Sequence, residues 1–208
     1  MEYTDKKIII NIGRQVGAGG FEVGKKLAEL LHIDFYDKAL LQLAAKETGL
    51  DCCYFEDADE TPTNRLEYAL SSNQMNMNSE TVLSRDELFK IQSEVIREIA
   101  NKKSCVIVGR TSDYILRDYP SCFNFFIHAP FDKRVEWLME KDKISERRAI
   151  HTIYKIDKQR EHYYNYYTNK KWGQSASYHL CIDSSVLGFN ESALFLKSFV
   201  ENKLTISK

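Results

Sequence analysis

The chain has 208 residues, 43% hydrophobic, 12% aromatic and 28% charged, with only three prolines, which allows one sizeable core and excludes global disorder. Its 29 Lys and Arg against 30 Asp and Glu leave a formal charge of -1. That balance excludes a broad electrostatic grip on nucleic acid or an anionic membrane, so any anion site must be local.

At the start of the chain, MEYTDKKIIINIG holds too short an apolar run for a signal peptide. No later stretch approaches the roughly 18 apolar residues of a membrane span, so a cytoplasmic location is expected. Lys7 to Ile12 is a continuous β-branched run, as expected of a strand covered on both faces, and it leads straight into a glycine cluster. From Phe21 the period changes to helical, with Val23, Leu27, Leu30 and Leu31 on one side and Glu22, Lys25, Lys26 and Glu29 on the other. Ile33 to Tyr36 reads as a short second strand, followed by a helix through Leu40 to Ala44 that ends at Gly49. Asp51 to Arg85 turns polar and reads as a mobile insert.

Leu88, Ile91, Val95 and Ile99 predict an amphipathic helix that feeds the strand Cys105 to Val108, closed by Gly109. Phe123 to Ile127 reads as the next strand, Phe131 to Met139 as a helix, Tyr178 to Ile182 as the last strand and Asn190 to Val200 as a closing helix. Five cysteines, Cys52, Cys53, Cys105, Cys122 and Cys181, lack CxxC spacing and read as reduced packing residues. The vicinal Cys52 and Cys53 leave a redox or metal site as the alternative. His128 and His162 have no catalytic or metal-type spacing and read as structural.

Strands alternating with helices at this spacing predict an α/β fold, a parallel sheet with right-handed crossovers and helices on both faces. Ligands of such sheets lie beyond the carboxyl ends of the strands. That places residues 13–20, Asp37 and Gly109 with Arg110 along one edge.

Glycines 13, 17, 19, 20 and 24 gather five of the chain's nine glycines into twelve residues between a strand and a helix. Glycine there admits positive φ and lets N–H groups approach an anion, while the following helix supplies a favourable dipole. A phosphate is the natural guest, and a tight turn packed closely at Gly24 is the bland alternative.

INIGRQVGAGGFEVGKKLAELL, FYDKALL, VIVGR, DKQREHYYNYYTNKKWG and IDSS together resemble the P-loop kinases, and most closely the cytidylate-kinase-like family. The likeness runs over nearly the whole chain. It implies a three-layer P-loop NTPase-like domain over 1–208, with an acceptor-side helical insert around 38–102 and a lid-like segment around 141–172. It also implies a nucleoside monophosphate kinase-like phosphotransferase, with ATP and Mg²⁺, moving the γ-phosphoryl to a small phosphorylated acceptor such as CMP. In that frame Gly13, Gln15, Val16, Gly17, Ala18, Gly19, Gly20 and Phe21 hold phosphate. Arg14, Arg110, Arg147 and Arg148 neutralise charge, and Asp37, Arg110, Asp157 and Arg160 bind the acceptor.

One departure stands out: aligning Gly17-Ala18-Gly19 with a Walker A loop puts Gly20 at its lysine and Phe21 at its Ser/Thr. The strand ending at Gly109 also lacks a carboxylate, so no direct protein ligand is assigned to Mg²⁺. An arginine reaching the same oxygens can replace a loop lysine, and Arg14 lies in the loop. The alternative is a non-catalytic P-loop protein that binds a nucleotide or phosphate for regulation.

Around the acceptor side several residues stay open. Asp113 and Asp37 read either as acceptor or water-mediated metal contacts or as helix caps. The run Tyr163, Tyr164, Tyr166, Tyr167 and Trp172 reads as packing, with base stacking or a subunit contact as the alternative. A homo-oligomer stays open.

Overall fold

The computed structural model describes residues 7–37 and 85–206. The predicted helix around 40–49, the insert up to residue 84 and the Cys52, Cys53 pair lie outside them. Five strands, β1 (Ile9–Arg14), β2 (Asp34–Tyr36), β3 (Cys105–Val108), β4 (Cys122–His128) and β5 (Leu180–Asp183), form one sheet. Its order is β2-β3-β1-β4-β5, and every neighbouring pair is parallel. The helices are α1 (Gly20–Leu31), α2 (Arg85–Lys102), α3 (Ser112–Ile115), α4 (Phe131–Asp142), α5 (Glu146–Thr168) and α6 (Ser184–Ile206).

Alternation along β1 sorts the core into two layers. Ile8, Ile10 and Ile12 pack with Val23 and Leu27 of α1 and with Ala193, Leu196 and Val200 of α6. Ile9 points the other way, with Cys105 and Ile107, onto Val95, Ile96 and Ile99 of α2 and onto Leu116. Helices thus cover both faces, and each fully buried aliphatic side chain contributes roughly 1.5–3 kcal/mol. A third, smaller cluster joins Val16, just past β1, to Val135 and Leu138 of α4 and to Ala149 and Ile153 of α5.

Register fixes where the site lies. Ile12 pairs with Val108 on β3 and with Phe125 on β4, so Gly13 and Arg14 run level with Gly109 and Arg110. β1 begins later than the expected Lys7 and runs on through Gly13 and Arg14, which still pair with Phe126 and Ile127. β5 starts at Leu180 rather than Tyr178, because a short 3₁₀ turn at Ser175–Ser177 precedes it.

The closing helix begins at Ser184, six residues before the expected Asn190, because the Asp183 carboxylate caps it. Its Oδ1 accepts from Ser185 N at 2.9 Å and from Ser185 Oγ at 2.7 Å. Gly188, at φ 73 and ψ 170, then kinks it, so the apolar periodicity from residue 190 marks only its second piece. Among the described residues, Cys105, Cys122 and Cys181 are free, and burial pushes the Cys105 and Cys122 thiols up to about 12, so both stay protonated and inert. No helix among the described residues is long and apolar enough to cross a membrane.

Candidate functional site

Between β1 and α1 the chain is fastened from outside at almost every peptide. Gln15 N–H donates to Ile127 C=O at 3.0 Å, and Val16 N–H donates to Asp157 Oδ1 at 2.9 Å. The Val16 carbonyl accepts from Arg134 Nη1 at 3.3 Å, the Arg14 carbonyl from Arg160 Nη1 at 3.1 Å and the Ala18 carbonyl from Ser184 Oγ at 2.7 Å. Gly17 turns at φ 77, and a Cβ there would lie 2.6 Å from the Arg134 carbonyl oxygen, so only glycine fits.

α1 then starts without a side-chain cap, from Gly19 at φ 71. The first amides of a helix have no intrahelical acceptor and carry the positive end of its dipole. Anchored from behind and uncapped in front, this bend has the form of an oxyanion cradle. Phe21 contributes only its backbone to that end, since its ring packs edge-on against Phe35, with centroids 5.3 Å apart.

Arg14 and Gly20 exclude each other's alternatives. A Cβ on Gly20 would sit 2.3 Å from Arg14 Cβ, and one on Gly109 would sit 2.2 Å from Arg14 Nη1. The arginine stem therefore fills the space a side chain at 20 would need. Its guanidinium reaches across to the end of β3.

That guanidinium borders a cavity lined by Gly13, Arg14, Gly109, Arg110, Asp113 and Arg160, with Asn11, Tyr163, Tyr164, Trp172 and Tyr178 around them. About 50 Å³ of it is open, room for a few waters or a phosphate-sized group. Gly109, Arg110 and Thr111 follow one another at φ 83, 62 and 51. A left-handed β-branched threonine is strained backbone of the kind that surrounding structure must hold in place. Gln92 of α2, 5% exposed, supplies that hold. Its Nε2 donates to the Arg110 carbonyl at 3.3 Å and to Tyr163 Oη at 3.1 Å, and its Oε1 accepts from Arg110 Nη1 at 3.5 Å.

Deeper in, Tyr164 Oη donates to Asp113 Oδ2 at 2.8 Å. Burial pushes the Asp113 carboxyl above its usual range, against the opposing pull of that bond and of Lys170. Burial, with the nearby Asp113 charge, likewise raises the Tyr164 and Tyr178 phenols, so both remain donors. Asn11 is 1% exposed and donates to Asn124 Oδ1 at 2.9 Å, while its own Oδ1 has no partner among the described residues. It stands at the cavity as an acceptor for a donor from water or ligand.

Of the residues singled out from sequence, the fold brings Gly13, Arg14, Arg110 and Arg160 into one cavity, with Asp113 beside them. Gln15, Val16, Gly17, Ala18 and Gly19 form the adjoining bend, and Gly20 and Phe21 open α1. Asp157 faces that bend instead of the cavity, and Asp37 follows β2 at the edge of the sheet. Arg147 and Arg148 lie exposed on the first turn of α5. The aromatic run mostly packs: Tyr167 stacks on Phe89 at 3.9 Å with Tyr163 edge-on to both, and Trp172 meets Phe126. Among the described residues no three His, Cys, Asp or Glu side chains gather to hold a metal.

Sequence reasoning missed Gln92 and Ser184. The only signal for Gln92 was a polar residue on the apolar stripe of α2. Ser184 lay in the IDSS stretch, whose aspartate caps the helix by accepting from Ser185 while Ser184 reaches the Ala18 carbonyl.

A family model described as cytidylate kinase-like matches residues 9–186. Among curated proteins, no sequence matches the chain. The crystal structure of an uncharacterized protein from Eubacterium ventriosum ATCC 27560 is similar at 29% identity and TM-score 0.72, over 94% of this chain and 99% of that one. Shikimate kinase from Acinetobacter baumannii in complex with shikimate shares the fold at TM-score 0.51 and 16% identity, over 96% of this chain and 97% of its own. A gluconokinase from Sinorhizobium meliloti 1021 does so at TM-score 0.52 and 13% identity, over 98% and 100%.

Proposed function

The chain belongs to the cytidylate kinase-like family, and from that premise we propose that it is a phosphotransferase moving the γ-phosphoryl of ATP to a small phosphorylated acceptor such as CMP. One observation carries the reading: Arg14, Arg110 and Arg160 line a single cavity beyond the carboxyl ends of β1 and β3, beside an uncapped helix N-terminus. Transfer of a phosphoryl group needs positioning and neutralisation of the equatorial oxygens, with little covalent chemistry from the protein.

In this reading the backbone amides opening α1 hold the donor phosphates. Arg14, whose stem occupies the space of a residue-20 side chain, supplies the cation that a loop lysine supplies elsewhere. Arg110 holds the acceptor phosphate from its strained turn, with Gln92 fixing its orientation, and a planar fork suits that bidentate contact. The uncapped amides and Arg14 fit the phosphates of ATP. For Mg²⁺ the described residues offer no carboxylate cluster, so no step is drawn through it.

The test is ADP release measured across the common nucleoside monophosphates. Turnover with CMP or a related monophosphate, lost by at least roughly a hundredfold in Arg110→Ala, is the expected result. Silence with every monophosphate at high enzyme concentration counts against it.

A second reading, a P-loop protein that binds a nucleotide without transfer, is favoured by one observation: side-chain space at Gly20 is closed by Arg14, so no loop lysine can be accommodated. Tight calorimetric binding of ATP without turnover would select it.

A further inference from the structure

Asp157 stands in the middle of α5, yet both of its carboxylate oxygens are engaged at the phosphate bend. Oδ1 accepts from Val16 N–H at 2.9 Å, and Oδ2 accepts from Arg134 Nη1 of α4. The same Nη1 donates to the Val16 carbonyl at 3.3 Å. One ion pair, assembled from two helices, thus grips the Val16 peptide on both its N–H and its C=O. Arg134 is 7% exposed, and its main chain also sets the wall against which Gly17 must turn. The Val16 side chain is buried in the apolar cluster between the same two helices, and Arg160, one turn beyond Asp157, holds the Arg14 carbonyl.

We propose that Asp157, together with Arg134, is a positioning residue that fixes the phosphate bend in its anion-binding form. The physical need follows from the composition of the bend. A bend built on glycines loses more backbone entropy on ordering than an ordinary loop. With no lysine of its own to gather it onto a bound phosphate, it must be held before the ligand arrives, because amides act on developing charge only when already aimed. A nearly buried ion pair suits that task, since removing one partner leaves the other uncompensated and the geometry cannot persist by default.

The inference rests on the phosphotransfer reading only for its kinetic readout. Amide hydrogen exchange at Val16, followed by NMR on the full chain, needs no ligand, and calorimetry with inorganic triphosphate needs no turnover. Asp157→Ala is expected to unprotect the Val16 amide and weaken triphosphate binding roughly tenfold or more, leaving the acceptor KM within about twofold. Asp157→Asn, which keeps an oxygen for Val16 N–H but abolishes the ion pair, is expected to fall between wild type and Ala.

Unchanged Val16 exchange in a folded Asp157→Ala protein overturns the proposal. So does a raised acceptor KM with triphosphate affinity intact, which would put Asp157 on the acceptor. Should the Ala variant not fold, Asp157→Asn serves for the same comparison. A wild type that transfers nothing to any monophosphate would sink the phosphotransfer reading and leave the clamp to be decided by Val16 exchange.

Discussion

The first turn and the middle of one helix carry the same kinds of side chain with opposite outcomes. Arg147 and Arg148, on the first turn of α5, are exposed, whereas Asp157 and Arg160 near its middle bond to the backbone of the phosphate bend. The buried positions of α5 are Ala149, Ile153, Tyr164 and Thr168. Asp157 lies one helical turn after Ile153, and Arg160 one turn before Tyr164, so both fall on that stripe, while Arg147 and Arg148 fall beside it. A charged residue on an apolar stripe must find a partner or suffer desolvation, and here the partner is the backbone of the bend between β1 and α1. The difference teaches that position relative to the buried stripe, more than charge density, separates side chains that bond to the bend from solvated ones.

The largest effect expected along α5 tests that contrast directly. Arg160→Ala removes a charged hydrogen bond to the Arg14 carbonyl and a cavity-lining cation, and should lower kcat/KM by about 2 kcal/mol, or roughly thirtyfold. Arg147→Ala and Arg148→Ala, measured in the same assay, should stay within about threefold of wild type. Equal losses at Arg160 and at Arg147 or Arg148 would break the comparison.

Next in size is Gly20→Ala. Its Cβ meets Arg14 Cβ at 2.3 Å, so Arg14 must shift, and denaturant unfolding should show a loss of about 1–3 kcal/mol. Gly20→Ala should also lower turnover by more than the exposed Phe21→Ala, because it displaces Arg14, the cation proposed to replace a loop lysine.

The smallest effect concerns the deep end of the cavity. The Asp113 carboxyl has its pKa raised above 3.8 in the folded state, chiefly by burial, so the fold binds a proton there more tightly than the unfolded chain does. Its contribution is therefore fully present below the unfolded value and is lost as pH rises through the folded value. Melting temperature measured upward from about pH 4 should fall more steeply in wild type than in Asp113→Asn, which stays neutral throughout. Parallel curves would show that Asp113 is as well solvated as Arg147, against the contrast drawn between interior and surface polar groups.

Much of this was legible in the chain alone. Period-two and period-3.6 apolar patterns follow from local geometry, and glycine clustering reflects a backbone need that no distant residue can supply. The parallel α/β sheet, the glycine bend at 13–20 and the place of Arg110 at the end of β3 could therefore be anticipated, while the strand order came only from the structure.

What Asp157 would touch was not legible, because the partners of a long helix depend on how it docks, and Val16 lies 141 residues away in sequence. The same holds for Gln92 on α2, 18 residues from Arg110, whose polar side chain has no local signature of its task.

By itself, then, the sequence determined an α/β chain with a phosphate-shaped turn, since hydrophobic period and glycine φ are properties of neighbouring residues. Only the tertiary structure decided which charges serve that turn. Ion pairs and hydrogen bonds are made between surfaces that the folded core alone brings within about 3 Å of each other.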